Sequence, residues 1–135
     1  MKKLVGRRKK GFRSERELVE KFKNIGLWSI RIPVSGVAQP LPDVILFHNG
    51  KIYGFEVKYV GKKRHIFYVK DFDNLQNWFN AMLQENFRAN ALLAVKFRGG
   101  KWRFYEVGPD LERIEVSINT GYTFSEICKK IKGEN

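Results

Sequence analysis

Between residues 12 and 25 the apolar positions recur every three or four residues. Phe12, Val19 and Phe22 form one stripe, with Leu18 and Ile25 beside it. That period predicts an amphipathic helix, ended by Gly26. Ser14 and Glu17 have capping-box spacing, which competes with a helix start nearer Gly11. The period then shortens to two. Trp28, Ile30, Ile32 and Val34 alternate as a strand with Arg31 on its other face. An apolar run from Asp43 to Phe47 follows, and His48-Asn49-Gly50-Lys51 turns it back. Tyr53, Phe55, Val57 and Tyr59 then share one strand face, and Gly54, Glu56 and Lys58 the other. A second amphipathic helix is predicted over 71–88, where Phe72, Leu75, Phe79, Met82 and Leu83 make a core stripe. Ala91 to Phe97 reads as a buried strand, Arg98-Gly99-Gly100-Lys101 as a hairpin turn, and Trp102 to Val107 as the return strand. Ile114, Val116 and Ile118 make another short strand. Thr123 and Glu126 cap a last helix whose Phe124, Ile127, Cys128 and Ile131 cover either the sheet or a second subunit. This order predicts an α/β fold, a mixed sheet of about five strands flanked by helices, in a single domain over residues 1–135.

Charge narrows the partners. Lys and Arg outnumber Asp and Glu by 26 to 14, a formal net charge of +12, which favours a polyanion. Nucleic acid fits better than membrane, since no segment approaches the roughly 20 apolar residues a spanning helix needs. The basic N-terminus leads into no apolar signal region, and Cys128 is the one cysteine. A cytoplasmic, reducing location is therefore expected, without a disulfide, a cysteine metal site or a small-molecule cofactor. Residues 1–9 read as a basic, mobile arm. With the helix that follows, they place Lys9, Lys10, Arg13 and Arg16 to reach phosphates.

The chemistry centres on Pro42-Asp43 and Glu56-Val57-Lys58. The hairpin brings Asp43 towards Glu56, with Lys58 beside Glu56 on the same face. Two carboxylates and a lysine suit a hard divalent cation and an activated water, and this is the PD-(D/E)xK nuclease pattern. Oxygen ligands without a Cys or His cluster point to magnesium, with manganese as a substitute. Glu15 lies on the apolar stripe of the first helix and admits two readings. It sits near solvent at the first turn, favoured by the helix dipole, or it faces inward to share the cation. Arg31 can pair with a carboxylate or a phosphate. Ser35, in the loop of residues 35–42 before Asp43, has a hydroxyl for a phosphate or for a local hydrogen bond. Lys62, Lys63 and Arg64 form a basic turn just beyond the acidic strand and are read as phosphate contacts; His48 and His65 are not read as ligands.

Several stretches together resemble the archaeal Holliday-junction resolvases of the Hjc and Hje type. They are Lys10-Gly11, Glu15-Arg16-Glu17-Leu18, Arg31-Ile32-Pro33-Val34-Ser35-Gly36, Pro42-Asp43, Glu56-Val57-Lys58 and Lys101-Trp102-Arg103-Phe104. The resemblance runs from about Lys10 to Val107 and more loosely to the end. It implies a restriction-endonuclease-like fold, a homodimer, and magnesium-dependent cleavage of four-way DNA junctions. Carried over by position, it implies that Glu15, Asp43 and Glu56 bind the metal and that Lys58 is catalytic. Arg16 and Arg31 would serve DNA binding or cleavage, and Ser35 would lie near the cut strand. Some family members carry a glutamine near the start of the second helix, roughly where this chain has Asp73; Gln76 stands about a turn later and receives no role.

Three functions compete on these grounds: a junction-resolving endonuclease, another PD-(D/E)xK nuclease acting on linear or damaged DNA, and a non-catalytic basic DNA-binding module. An intact acidic site argues against the last, because carboxylates repel phosphates unless a cation intervenes. Junction resolution needs two like cuts about a two-fold axis, and one domain offers one site, so a C2 homodimer is expected. Phe104, Phe124 and Ile127 are candidate contributors to its interface.

Overall fold

The computed structural model describes the backbone of residues 2–33 and 39–133, and side chains from Phe12 onward within those ranges. Ser35 lies outside the described residues, and so do the side chains of Lys9 and Lys10. The elements are α1 (Lys2–Asn24), β1 (Ser29–Arg31), β2 (Val44–His48), β3 (Lys51–Val60), β4 (Arg64–Tyr68), α2 (Val69–Gln84), β5 (Arg88–Phe97), β6 (Trp102–Glu106), β7 (Arg113–Ser117) and α3 (Phe124–Lys132). Among the described residues, no helix is long and apolar enough to cross a membrane.

Five strands form one mixed sheet in the order β1-β2-β3-β5-β6. Only β3 and β5 run parallel, joined by a crossover that carries β4 and α2; the other neighbours are antiparallel. One face packs under α1 and α3. There Leu18, Phe22, Ile127 and Ile131 meet Phe55, Val57 and Phe104. The other face packs under α2 and the β4–β7 ribbon, where Phe72, Leu75 and Trp78 meet Ile52, Leu93, Val95 and Val116. The alternation of β3 is what divides the two cores. Tyr53, Phe55 and Val57 belong to the first and Ile52 to the second. Gly54 faces Trp78 so closely that a Cβ there would lie 2.4 Å from the indole ring.

Four expectations change. The first helix begins at Lys2 rather than near residue 12, because Lys and Arg are good helix formers and no proline before Phe12 breaks the run, although Gly6 and Gly11 lie within it. Ser14 is therefore buried within the helix instead of capping it. The first strand has three residues rather than running on from Trp28, and Trp28 and Ile30 are exposed on the sheet edge. Arg64 and His65 open strand β4 rather than sitting in a turn, since β7 supplies a distant antiparallel partner. Finally, Phe104 and Ile127 are buried within this chain, and Phe124 packs against the same core. They are core residues, not a surface for a second subunit: α3 covers its own sheet.

Candidate active site

The β2–β3 hairpin builds the acidic centre. Asp43, just before β2, is tied to β3 twice. Its backbone N–H donates to the Phe55 carbonyl at 2.9 Å, and its Oδ2 accepts the Val57 N–H at 2.9 Å. The second bond fixes the carboxylate between Glu56 and Lys58 in the chain. The Glu56 carboxyl hydrogen-bonds to Asp43 and titrates well above the ordinary carboxylate range. Burial is the main cause, then the bond and charge of Asp43, with Lys58 opposing.

Glu15 comes from the facing helix and is only 8% exposed. Of its two sequence readings, the solvated first-turn position is excluded by the early helix start, and its side chain points inward. Burial raises its pKa to about 7, the charge of Asp43 adds to the rise, and Arg31 opposes it. The three carboxyls therefore feel one another across one desolvated space. Among the described residues they do not yet converge as a ready-made ion cage. Glu15 instead leans on Arg31, with Nε 3.5 Å from Oε1. The donor set is all oxygen, which fits a hard divalent cation.

Arg31 leaves β1 on the α1 side, and the Phe12 ring covers its guanidinium at 4.6 Å. Lys58 lies 5.9 Å from the Phe67 ring on β4, so the ribbon backs the lysine. Neither ring contact was legible in the sequence, because each joins elements that no local pattern links. Arg13, Arg16, Lys62, Lys63 and Arg64 are all exposed, on the helix turns around Glu15 and the segment after β3. His48 hydrogen-bonds to neighbouring Asn49, and His65 packs edge-on to Phe67. Gln76 has a structural job. Its side-chain amide donates to the carbonyls of Gly108 and Leu111, holding the loop between β6 and β7. A cleft of about 440 Å³ lies among Tyr53, Phe79, Asn90 and Lys130, towards the start of β3 and away from Glu56 and Lys58.

The family described as archaeal Holliday junction resolvase (Hjc) matches residues 6–132. The chain belongs to that family. It is accordingly a junction-resolving nuclease. Curated relatives agree. A crossover junction endodeoxyribonuclease Hje of Sulfolobus acidocaldarius is 30% identical over 111 residues, covering 81% of this chain and 77% of the relative. A crossover junction endodeoxyribonuclease Hjc of Archaeoglobus fulgidus is 34% identical over 111 residues, covering 81% and 76%. The solved structure of Archaeoglobus fulgidus Hjc superposes with a TM-score of 0.68 over 88% of this chain and 98% of that one; at 24% identity it supports the shared fold. The expected restriction-endonuclease-like sheet is thus the Hjc fold. Membership of the Hjc family implies a divalent metal.

Proposed function

We propose that this chain resolves four-way DNA junctions as a C2 homodimer, by paired magnesium-dependent nicks. Glu15, Asp43 and Glu56 hold the cation, and Lys58 serves the attacking water. The supporting observation is the hydrogen-bonded carboxyl pair of Asp43 and Glu56, with Glu15 close enough to feel their charge and Lys58 two residues along the strand. When bound, magnesium, or manganese in its place, supplies the positive charge that lets a phosphate approach the carboxyls and makes a water acidic enough to attack. Lys58 orients that water or takes its proton, and its ammonium form steadies charge developing on the phosphate oxygens.

The basic residues bind backbone rather than bases. Arg13, Arg16 and Arg31, with Lys9, Lys10 and the amino-terminal stretch, contact one side of the cut strand, and Lys62, Lys63 and Arg64 the other. Ser35 contributes a hydroxyl near the scissile phosphate. Branch shape and phosphate position give selectivity, with little base readout. For the second subunit, the β1–β2 edge offers an exposed apolar surface among the described residues. Trp28 and Phe47 stand 5.7 Å apart there, Ile30 is exposed beside them, and Phe87 shares a cleft with Phe47. Exposed aromatics grouped in this way suit an interface core.

The test is cleavage and binding by single variants. Glu15→Ala, Asp43→Ala and Glu56→Ala should each abolish junction cleavage in magnesium while gel shifts show retained binding, since each removes negative charge from a DNA-facing site. Lys58→Ala should cut the rate by roughly 100-fold or more. Wild-type cleavage by Asp43→Ala or Lys58→Ala, or loss of binding by all three acidic variants, would refute the assignment.

A further inference from the structure

Phe12 is 40% exposed, and it is the ring that meets a catalytic-centre cation rather than the core. It stands three residues before Glu15 on α1, so the ring and the carboxylate project from one face of the helix. The Arg31 side chain reaches both from the opposite sheet edge. Its contact with Glu15 is loose. The 3.5 Å separation is well beyond the roughly 2.7–2.9 Å of a charge-assisted hydrogen bond. Its buried Nε–H has no hydrogen-bond partner. The guanidinium carbon, in contrast, lies 4.6 Å from the Phe12 ring centroid, within cation–π range. Thus a weakly engaged carboxylate and an aromatic face share one arginine whose side chain is 20% exposed.

We infer that Phe12 is a positioning residue for Arg31. The ring holds the guanidinium at the lip of the acidic centre when the Glu15 carboxylate turns to a cation, so that Arg31 is already in place for a backbone phosphate of the cut strand. This rests on the proposed roles of Glu15 and Arg31 and adds a residue that neither the acidic motif nor charge counting selects. An arginine restrained by a ring loses less freedom on meeting phosphate than one released into solvent. The ring face can be supplied by tyrosine but not by leucine, which offers similar bulk without the π system.

The experiment measures junction affinity in magnesium on a Lys58→Ala background, where cleavage is slow, for the otherwise wild-type chain, Phe12→Leu, Phe12→Tyr, Arg31→Ala and the double variant Phe12→Leu/Arg31→Ala. Phe12→Leu should weaken binding about two- to fivefold, and Phe12→Tyr should bind like wild type. In the double variant the Phe12 change should add nothing to the loss from Arg31→Ala, because the ring acts through the arginine. Binding by Phe12→Leu equal to wild type would overturn the inference. So would an equal loss from Phe12→Leu with and without Arg31, which would make the ring a separate contact. Thermal unfolding of each variant checks that the fold is intact. Junction cleavage by wild type in magnesium runs alongside: its absence would defeat the proposed function, whereas cleavage without coupling between Phe12 and Arg31 would defeat this inference alone.

Discussion

Glu15 holds its proton to about pH 7, against an ordinary value of 4.5, because burial and the nearby Asp43 disfavour its charge. Between those values the folded, metal-free chain keeps a proton that the unfolded chain has released. Its stability therefore falls as pH rises through the window, by up to roughly 3 kcal/mol. Glu56 is shifted in the same direction. Denaturant titrations in chelator at pH 4.5 and 7.5 should show wild type losing stability relative to Glu15→Gln as pH rises, and magnesium should restore it at the higher pH. A wild-type advantage that grows with pH in chelator would contradict the raised value. At this scale the sequence was informative where chemistry follows a strand period. Asp43, Glu56 and Lys58 could be placed from alternation and one turn. Glu15 stayed ambiguous because its exposure depends on where the helix begins. The Phe12–Arg31 and Lys58–Phe67 contacts were hidden because each depends on packing between separate elements.

Gly54 shows how one element sets another's position. It lies two residues before Glu56, and the Trp78 ring of α2 occupies the space where a side chain would start, 2.4 Å from an ideal Cβ. Trp78 is 3% exposed and has no room to retreat. Gly54→Ala should lower stability by about 1–3 kcal/mol through overpacking, measurable by urea unfolding. A variant as stable as wild type would mean that α2 is not pressed against β3. Elements with a sustained period were legible, as the apolar stripe of α2 and the alternation of β3 demonstrate. The chain's charge pattern concealed others. Residues 2–10 look like a solvated arm by composition, yet their backbone continues α1. Arg64-His65-Ile66-Phe67-Tyr68 begins like the tail of a basic turn and becomes a strand only by pairing with Arg113–Ser117. Trp28 and Ile30 alternate like one strand face, but β1 is an edge strand and α2 does not cover them.

For the whole molecule, the proposed reading assigns the attraction to DNA to the excess of basic residues, 26 against 14 acidic, and the cut to the acidic centre. Fold and enzyme class were both legible because several short motifs occurred together in one order. The surface proposed for a second subunit was not. Apolar spacing alone does not distinguish a face that covers its own sheet, as Phe104 and Ile127 do, from one left open. The central claim is that one acidic centre makes one nick and that a two-fold pair of centres resolves the junction. The most direct measurement is strand-specific cleavage of a labelled junction by heterodimers of wild type and Glu56→Ala. A nick in one strand is expected, with the junction left unresolved. Heterodimers that cut both strands, or a chain that resolves junctions while sedimenting as a monomer, would contradict it.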